Sequence, residues 1–183
     1  MTVELLNTLL AAATFLVIAA TAVAAVRQLR HLRASNQLNA LVTILQDWQQ
    51  PEMQGWVRFV REELPGKLEE PGYLDSITAH RMDAAVHRWT NICDYYEQLG
   101  SYIKYGLVDR RSYLDVSSYN VASFYRQLRP CIERLRAAKN NDAIYENFEY
   151  LAVLGEQFNR AHPNGVYPAG VPHFGDLEPA KSD

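Results

Sequence analysis

Apolar residues recur at steps of three and four along most of the chain, which is the period of a helix that buries one face. The clearest run lies between Ile77 and Asp109, with apolar positions at Ala85, Trp89, Ile92, Tyr96, Leu99 and Ile103. This run predicts a central helix, and Asp75 or Ser76 is suited to cap its N-terminus. Gly106 can take the left-handed conformation that ends a helix, and Asp109 can cap the next one. The pattern therefore predicts a tight helix-to-helix corner at the end of the run.

The segment before the central helix has the same period. One apolar stripe runs from Leu38 to Trp48, and a second follows Pro51, a residue that is tolerated in the first turn of a helix. Pro65 and Gly66 predict the end of that second helix. Residues 67–73 are then expected to form a surface loop.

Two more stripes follow the corner. The first, over 110–139, contains Pro130, which predicts a kink near 126–129 or two shorter helices. The second, over 144–158, predicts the last helix. From His162 onward the chain is rich in Pro and Gly, so an extended or disordered tail is expected.

The N-terminal residues 5–26 carry no charge over roughly the 20 residues that a helix needs to cross a bilayer core. This predicts a transmembrane helix. The alternative is a cleaved secretory signal, because Ala22 and Ala24 form an A-x-A pattern. The segment before the apolar run contains Glu4 and no Lys or Arg, which disfavours the signal.

Three arginines, Arg27, Arg30 and Arg33, follow the apolar segment. By the positive-inside rule they predict a cytoplasmic C-terminal domain and an N-terminus on the other side of the membrane. They can also meet lipid phosphates, although fixing the topology is the simpler interpretation.

The predicted fold is therefore all-α: a single N-terminal transmembrane helix that continues into an antiparallel cytoplasmic bundle of about four or five helices. The expected organisation is an anchor with its basic flank (1–33), a helical bundle (34–160) and a tail (161–183).

Composition adds few constraints. The 183 residues include 18 basic and 21 acidic side chains, a net charge of -3, which gives no overall field to attract nucleic acid, so no nucleic-acid partner is expected. Cys93 and Cys131 lack metal-site spacing and are interpreted as buried free thiols, with a disulfide as the alternative. Signatures of NTPases, common hydrolases and metalloproteases are missing, and no cofactor is expected.

Several ionisable residues share the predicted central helix. His80, His87 and Asp94 follow at steps of seven, too far apart on one helix to close a metal site, so a solvated helix face is favoured. Glu97 lies beside the apolar stripe. An ion pair with Arg126 or Arg129 is preferred for it over an acid-base role.

The tyrosines are concentrated in the second half of the chain. Most of them suit helix packing, but Tyr102, Tyr105 and Tyr119 are candidates for an interaction surface. With Tyr96 and Glu97, they are the predicted interaction or pocket residues. No residue is predicted to be catalytic or to bind a metal.

Three pieces of sequence carry a family resemblance through their combination and order: VRQLRHLRASNQLNAL, EQLGSYIKYGLVD and YENFEYLAVL. Together they resemble a family of small bacterial membrane-anchored helical proteins classed only as a domain of unknown function. The resemblance covers about residues 23–154. It implies an N-terminal span and a cytoplasmic helical bundle, with no established activity or cofactor and no catalytic residues to transfer.

Three functional hypotheses follow. The first is a membrane-anchored interaction or regulatory module that associates with itself or with a protein partner. The second is an enzyme or small-ligand receptor with a pocket between helices, formed by His87, Asp94, Glu97 and Tyr96. The third, a membrane-acting oligomeric effector, is weaker because the span contains no charged residue.

Overall fold

The structure is a computed structural model that describes residues 2–78, 80 and 82–177. Every regular element in these residues is helical, as the sequence predicts. The elements are α1 (Val3–Trp48), α2 (Pro51–Arg58), a π-helical turn (Phe59–Glu63), α3 (Leu64–Glu69), a 3-10 turn (Leu74–Ser76), α4 (Trp89–Lys104), α5 (Arg110–Lys139), α6 (Glu146–Ala161) and a second 3-10 turn (Phe174–Leu177). The chain divides into two compact units, Met1–Asp47 and Trp48–Asp183.

The first unit consists of α1 up to Asp47. Within the described part of the chain, α1 is the one helix long and apolar enough to cross a membrane, and none of its most apolar window is buried. Large apolar side chains such as Phe15, Leu16 and Val17 are about two-thirds exposed or more. This agrees with the predicted N-terminal span, because such side chains need a non-aqueous environment.

The second unit is a helical bundle in which α6 packs against both α4 and α5, and α2 packs against α4. Its largest fully buried side chains are aromatic or aliphatic: Trp89, Tyr96, Phe59, Phe124, Phe148, Leu64, Ile77, Ile92, Leu128, Ile132, Leu151 and Val60. The amphipathic stripes of the sequence therefore meet in one core.

The corner between α4 and α5 confirms its prediction. Gly106 has φ of 68°, a left-handed conformation that suits glycine. Asp109 caps α5, since its Oδ1 accepts hydrogen bonds from the Ser112 backbone N (2.8 Å) and Oγ (2.6 Å).

The predicted start of the central helix is wrong. Helix α4 begins at Trp89, not near Ile77, and the described residues before it form turns and irregular segments. Asp83 starts one of them: its Oδ1 accepts from the Ala85 N (2.8 Å), and its carbonyl accepts from the His87 N (2.9 Å). An Asp side chain that binds the backbone two residues ahead competes with helix formation.

The predicted caps of the central helix are wrong for the same reason. Asp75 and Ser76 lie in the first 3-10 turn, and the structure gives α4 no side-chain cap. Asp75 instead pairs with Arg134 of α5 at 3.3 Å. Ser76 contacts His87 at 3.1 Å.

Pro65 does not end its helix, contrary to prediction. The backbone passes from α2 through the π-helical turn into α3, where the Leu64 N donates to the carbonyl of Phe59, five residues back. A widened turn just before a proline accommodates a ring that conflicts with regular α-helix. The helix consequently extends to Glu69, and the first part of the predicted 67–73 loop is helical.

Pro130 does not divide α5, which runs from Arg110 to Lys139 as one helix. Pro130 is exposed, whereas Leu128 and Cys131 beside it are fully buried. The proline therefore lies on the solvent side, and core packing on the other side holds the helix together.

Candidate functional site

Helix α6 is capped by a residue from another helix. Tyr145 precedes its first turn and supplies no side-chain cap. Glu97 of α4 accepts hydrogen bonds from the Phe148 backbone N (2.9 Å, to Oε2) and from Asn147 Nδ2 (2.7 Å, to Oε1). A carboxylate at this place satisfies a free N–H group and interacts favourably with the helix dipole.

Three more polar pairs extend this contact, which we call the α4–α6 junction (Asp94, Glu97, Gly100 and Lys104 of α4 with residues 145–148). Lys104 Nζ donates to Asn147 Oδ1 at 3.2 Å and lies 3.7 Å from Glu146 Oε1. The Tyr145 hydroxyl donates to Asp94 Oδ1 at 3.1 Å. Burial raises the pKa of Asp94, and the Tyr145 hydrogen bond opposes that increase.

Gly100 allows the two helices to approach this closely. A Cβ atom at this position would overlap the carbonyl oxygen of Asn147, a backbone atom that cannot rotate away. A second close approach occurs at Gly155 of α6, where a Cβ atom would lie 2.7 Å from the Ser118 carbonyl oxygen. Both glycines therefore serve helix packing.

Tyr96, a predicted interaction or pocket residue, lies in the core and is 1% exposed. Its ring stacks on Phe148 at 4.8 Å between centroids and contacts Trp48 and Phe124 at 5.9 Å. Burial holds the pKa of Tyr96 well above its usual range. Tyr96 therefore stabilises the core and offers no surface to a partner.

The predicted ion pair between Glu97 and Arg126 or Arg129 is wrong. Arg126 pairs with Glu156 of α6 at 3.0 Å, and Arg129 pairs with Glu133 in its own helix at 2.6 Å. Glu97 is engaged with α6 backbone and amide groups instead. The sequence gives only a weak signal that Glu97 caps α6. Glu97 and Phe148 are 51 residues apart, and no local motif links residues at that separation.

Arg136 makes a second link to the start of α6. Its Nε donates to the Ile144 carbonyl (2.8 Å), and its Nη1 lies 2.8 Å from Glu149 Oε2. Burial raises the pKa of Glu149, but hydrogen bonds from Arg136 and Tyr125 outweigh it and lower the pKa below its usual value. Burial, together with Glu149, raises the pKa of Tyr125 to about 12.

His87 is buried, with 2% of its surface exposed, and it is not on a solvated helix face as predicted. Trp89 Nε1 donates to its Nδ1 (3.3 Å), and its Nε2 lies 3.1 Å from Ser76 Oγ. Ser76 Oγ in turn donates to the Tyr73 carbonyl at 2.6 Å. Burial lowers the pKa of His87, so the neutral imidazole is favoured.

Ser76 and His87 are residue types that can act as a catalytic nucleophile and its general base. The local sequence does not predict their contact. The hydrogen bonds of His87 oppose a catalytic role. An indole N–H only donates, so Nδ1 is the acceptor and Nε2 carries the proton. Nε2 then donates to Ser76 and cannot remove the proton of its hydroxyl. We interpret the successive hydrogen bonds that join Trp89, His87, Ser76 and Tyr73 as a structural latch, which holds the turns before α4 in place.

The second hypothesis requires His87, Asp94, Glu97 and Tyr96 to converge in a cavity. They do not, because each is engaged in a separate structural contact. A groove of about 270 Å³ occurs elsewhere, between α5 and α6, lined by Ala122, Tyr125, Arg126, Ala152, Val153, Glu156, Gln157 and Arg160. None of the four predicted pocket residues lines it.

The grouping of possible metal ligands and the burial of the two cysteines bear on metal and thiol chemistry. Across residues 2–78, 80 and 82–177, no three His, Cys, Asp or Glu side chains are grouped so that they could hold a metal ion. Cys93 and Cys131 are free and buried, as preferred from the sequence. Burial raises the pKa of Cys131 to about 12, so its reactive thiolate is strongly disfavoured.

The remaining tyrosine candidates differ in exposure. Tyr102 is half-buried, and its hydroxyl accepts from Gln98 Nε2 at 2.6 Å. Tyr105 and Tyr119 are 72% and 71% exposed. Leu107 of the corner and Val116 of α5 are each 58% exposed. We call Tyr105, Leu107, Val116 and Tyr119 the exposed set.

These four side chains lie on consecutive parts of the chain. Tyr105 and Leu107 belong to the corner, and Val116 and Tyr119, three residues apart, share one face of α5. Exposed aromatic side chains at protein surfaces are typical of binding sites.

A scan against family models finds one that matches residues 15–153, described as Domain of unknown function (DUF4760). The chain belongs to this family. It matches no curated protein and no solved structure. The matched residues include the second half of the apolar segment, the α4–α5 corner and both sides of the α4–α6 junction, so the suspected unknown-function family is confirmed.

The structure also relates two of the sequence pieces that carried the resemblance. EQLGSYIKYGLVD begins with Glu97, and YENFEYLAVL begins with Tyr145; they supply the two sides of the α4–α6 junction. Helix packing therefore accounts for Glu97, Gly100 and Asn147 in these motifs. It does not account for the exposed Tyr105 and Leu107.

Proposed function

We propose that this DUF4760 member is a single-pass protein of the bacterial inner membrane whose cytoplasmic bundle binds a protein partner through the exposed set. One observation carries this proposal: the corner and adjacent face of α5 expose two tyrosines and two aliphatic side chains to solvent. Tyrosine provides a large contact area with few rotatable bonds, so its ordering on binding costs little entropy.

The membrane attachment is supported by α1. Its apolar residues 5–26 are followed by Arg27, Arg30 and Arg33, all exposed. Basic residues just beyond an apolar span favour the cytoplasmic side. The helix Val3–Trp48 contains the apolar segment and ends at Trp48, the first residue of the bundle unit.

A binding role is favoured over catalysis by the ionisable groups themselves. Glu97, Asp94 and His87 are each held by a partner that stabilises the fold. A catalytic group must instead direct its reactive atom towards a substrate.

Site-specific photocrosslinking in native membranes tests the binding surface. A benzophenone amino acid replaces Tyr105 or Tyr119 in the full chain, and Tyr150 of α6, which is 37% exposed, serves as the matched control. We expect a discrete adduct from positions 105 and 119 and none from 150. The proposal fails if the three positions give the same adducts or give none.

Membrane extraction tests the anchor. We expect the intact chain in the pellet after alkaline extraction, with a mass that includes residues 5–26. Leu16→Lys should release most of the protein, because a lysine near the middle of the span is costly. Leu38→Lys, at another exposed leucine of α1, should not. A shortened mature chain would instead identify a cleaved signal.

A further inference from the structure

Most of the uncharged polar residues in and just after the apolar segment recur every seven residues. Between Leu5 and Gln28 the uncharged polar residues are Asn7, Thr8, Thr14, Thr21 and Gln28, and all but Thr8 are spaced by seven. We call Asn7, Thr14, Thr21 and Gln28 the polar stripe. All four are exposed on α1.

A spacing of seven places these residues nearly one above another on a helix. Successive members shift by only about 20° around a straight α-helix, and a left-handed supercoil removes that shift. The polar stripe is therefore a continuous seam of the kind found between two helices that wrap around each other.

The nearest neighbours of the seam are both small and bulky. Ala11, Ala24 and Ala25 lie beside it, about 50° away by helical geometry, and Leu10, Val17 and Ile18 lie at the same angle between them. The opposite side carries Leu9, Leu16 and Val23, which are 54%, 67% and 56% exposed. Small residues permit close approach of two helices, and bulky aliphatic side chains suit contact with lipid.

The chemistry of the seam favours an identical helix as its partner. The Thr14 and Thr21 hydroxyls donate to the Leu10 and Val17 carbonyls, both at 2.8 Å, so their oxygens can still accept hydrogen bonds. Asn7, inside the span, and Gln28, two residues beyond it, each carry a donor and an acceptor. In hydrocarbon an amide such as that of Asn7 gains from pairing, and it is complementary to a second copy of itself.

We propose that the polar stripe is the contact surface of a parallel, left-handed pair of α1 helices from two copies of this chain. Copies inserted with the same topology are parallel, so each stripe residue meets its own counterpart at the same membrane depth. This inference rests on the proposed membrane span. Its partner is a second copy of this chain, which contacts the first copy inside the membrane.

Cysteine crosslinking in native membranes tests the surface, with four alanines as matched sites. Ala11→Cys and Ala25→Cys place thiols beside the seam, and Ala12→Cys and Ala19→Cys place them on the opposite side. The native Cys93 and Cys131 are buried. We expect oxidation to give at least tenfold more disulfide-linked dimer from the first pair.

Removing the polar groups gives an independent measurement. We expect Asn7→Leu to weaken energy transfer between labelled copies in vesicles and to raise the dissociation constant of the dimer about threefold to tenfold. Thr14→Val combined with Thr21→Val should act in the same direction. Thr8→Val is the matched control, because Thr8 makes the same hydroxyl bond to a backbone carbonyl, that of Glu4, but lies off the seam.

The outcomes separate this inference from the function proposed above. A membrane-bound protein whose four cysteine variants crosslink equally, or not at all, overturns the α1 pairing and leaves the anchor intact. A protein absent from the membrane fraction overturns both.

Discussion

The two halves of the segment 77–109 have similar apolar periodicity but different structures. Residues 89–104 form helix α4, whereas the described residues of 77–88 form turns and irregular segments. The second half packs against α6: Glu97 caps that helix, and Gly100 allows its backbone to approach closely. The first half depends on the buried His87 and its hydrogen bonds to Trp89 and Ser76. A helical period is thus realised only where local side chains do not offer the backbone a competing turn.

The largest expected effect comes from Gly100→Ala. The added Cβ meets the Asn147 backbone, so α4 and α6 must separate, and we expect a loss of about 3 kcal/mol or more in the free energy of unfolding. Urea unfolding of the full chain in mild detergent, followed by circular dichroism, measures this loss.

Gly66→Ala is the control for that substitution. Gly66 is in α3 with nothing within 4 Å of an added Cβ, so helix propensity predicts unchanged or slightly higher stability. Similar losses in both variants would contradict a special role of the α4–α6 junction.

Glu97→Ala should rank second. It leaves the Phe148 N–H and the Asn147 amide without their partner, so we expect a loss of about 1–2 kcal/mol. Thermal unfolding provides the comparison with Glu133→Ala, which removes an exposed pair within α5 and should cost at most about 0.5 kcal/mol. An equal cost would mean that the cross-helix cap contributes little.

The latch before α4 predicts a pH dependence. Burial lowers the pKa of His87, so the unfolded chain binds this proton at a higher pH than the folded chain does. The free energy of unfolding should therefore fall as the pH drops below about 6.5, the ordinary pKa of histidine, towards the lower pKa of the folded state.

His87→Gln removes this titratable group, so the free energy of unfolding should change less with pH between pH 7.5 and 5. At neutral pH we expect the altered hydrogen bonds to lower it by about 1 kcal/mol. His162→Gln, at a half-buried histidine outside the latch, is the control substitution. Unfolding titrations at several pH values check this. The latch is disproved if His87→Gln retains the wild-type slope.

The smallest effect on stability is expected for the exposed set. Tyr105→Ser combined with Tyr119→Ser should change the free energy of unfolding by about 0.5 kcal/mol or less, because both rings are mostly exposed. The same variant should lose partner capture in native membranes. A large loss of stability would instead assign these tyrosines to packing.

Residue chemistry predicted several parts of the fold because their causes are local. Gly106 and Asp109 define the α4–α5 corner through backbone conformation and capping within three residues. The apolar stripes of α4, α5 and α6 predicted which faces are buried. The uncharged segment 5–26 likewise predicted a helix of membrane-spanning length. Pro65 was misleading because a π-helical turn accommodates it.

The candidate site was less accessible from sequence. Tyr96 and Tyr119 both lie at helical positions suited to aromatic residues, yet one is 1% and the other 71% exposed. Tyr96 belongs to the apolar stripe of α4, and the structure shows that Phe148, Trp48 and Phe124 cover its ring.

The helical class, the apolar N-terminal segment, the family and the glycine corner could be read from the chain alone, since each follows from composition, period or a few adjacent residues. Only the packed structure shows that Glu97 caps α6, that Gly100 admits the Asn147 backbone and that His87 is buried. These roles depend on groups that are 11 to 51 residues apart or on packing between helices. No local pattern encodes such distances, because they are set by how the helices pack together.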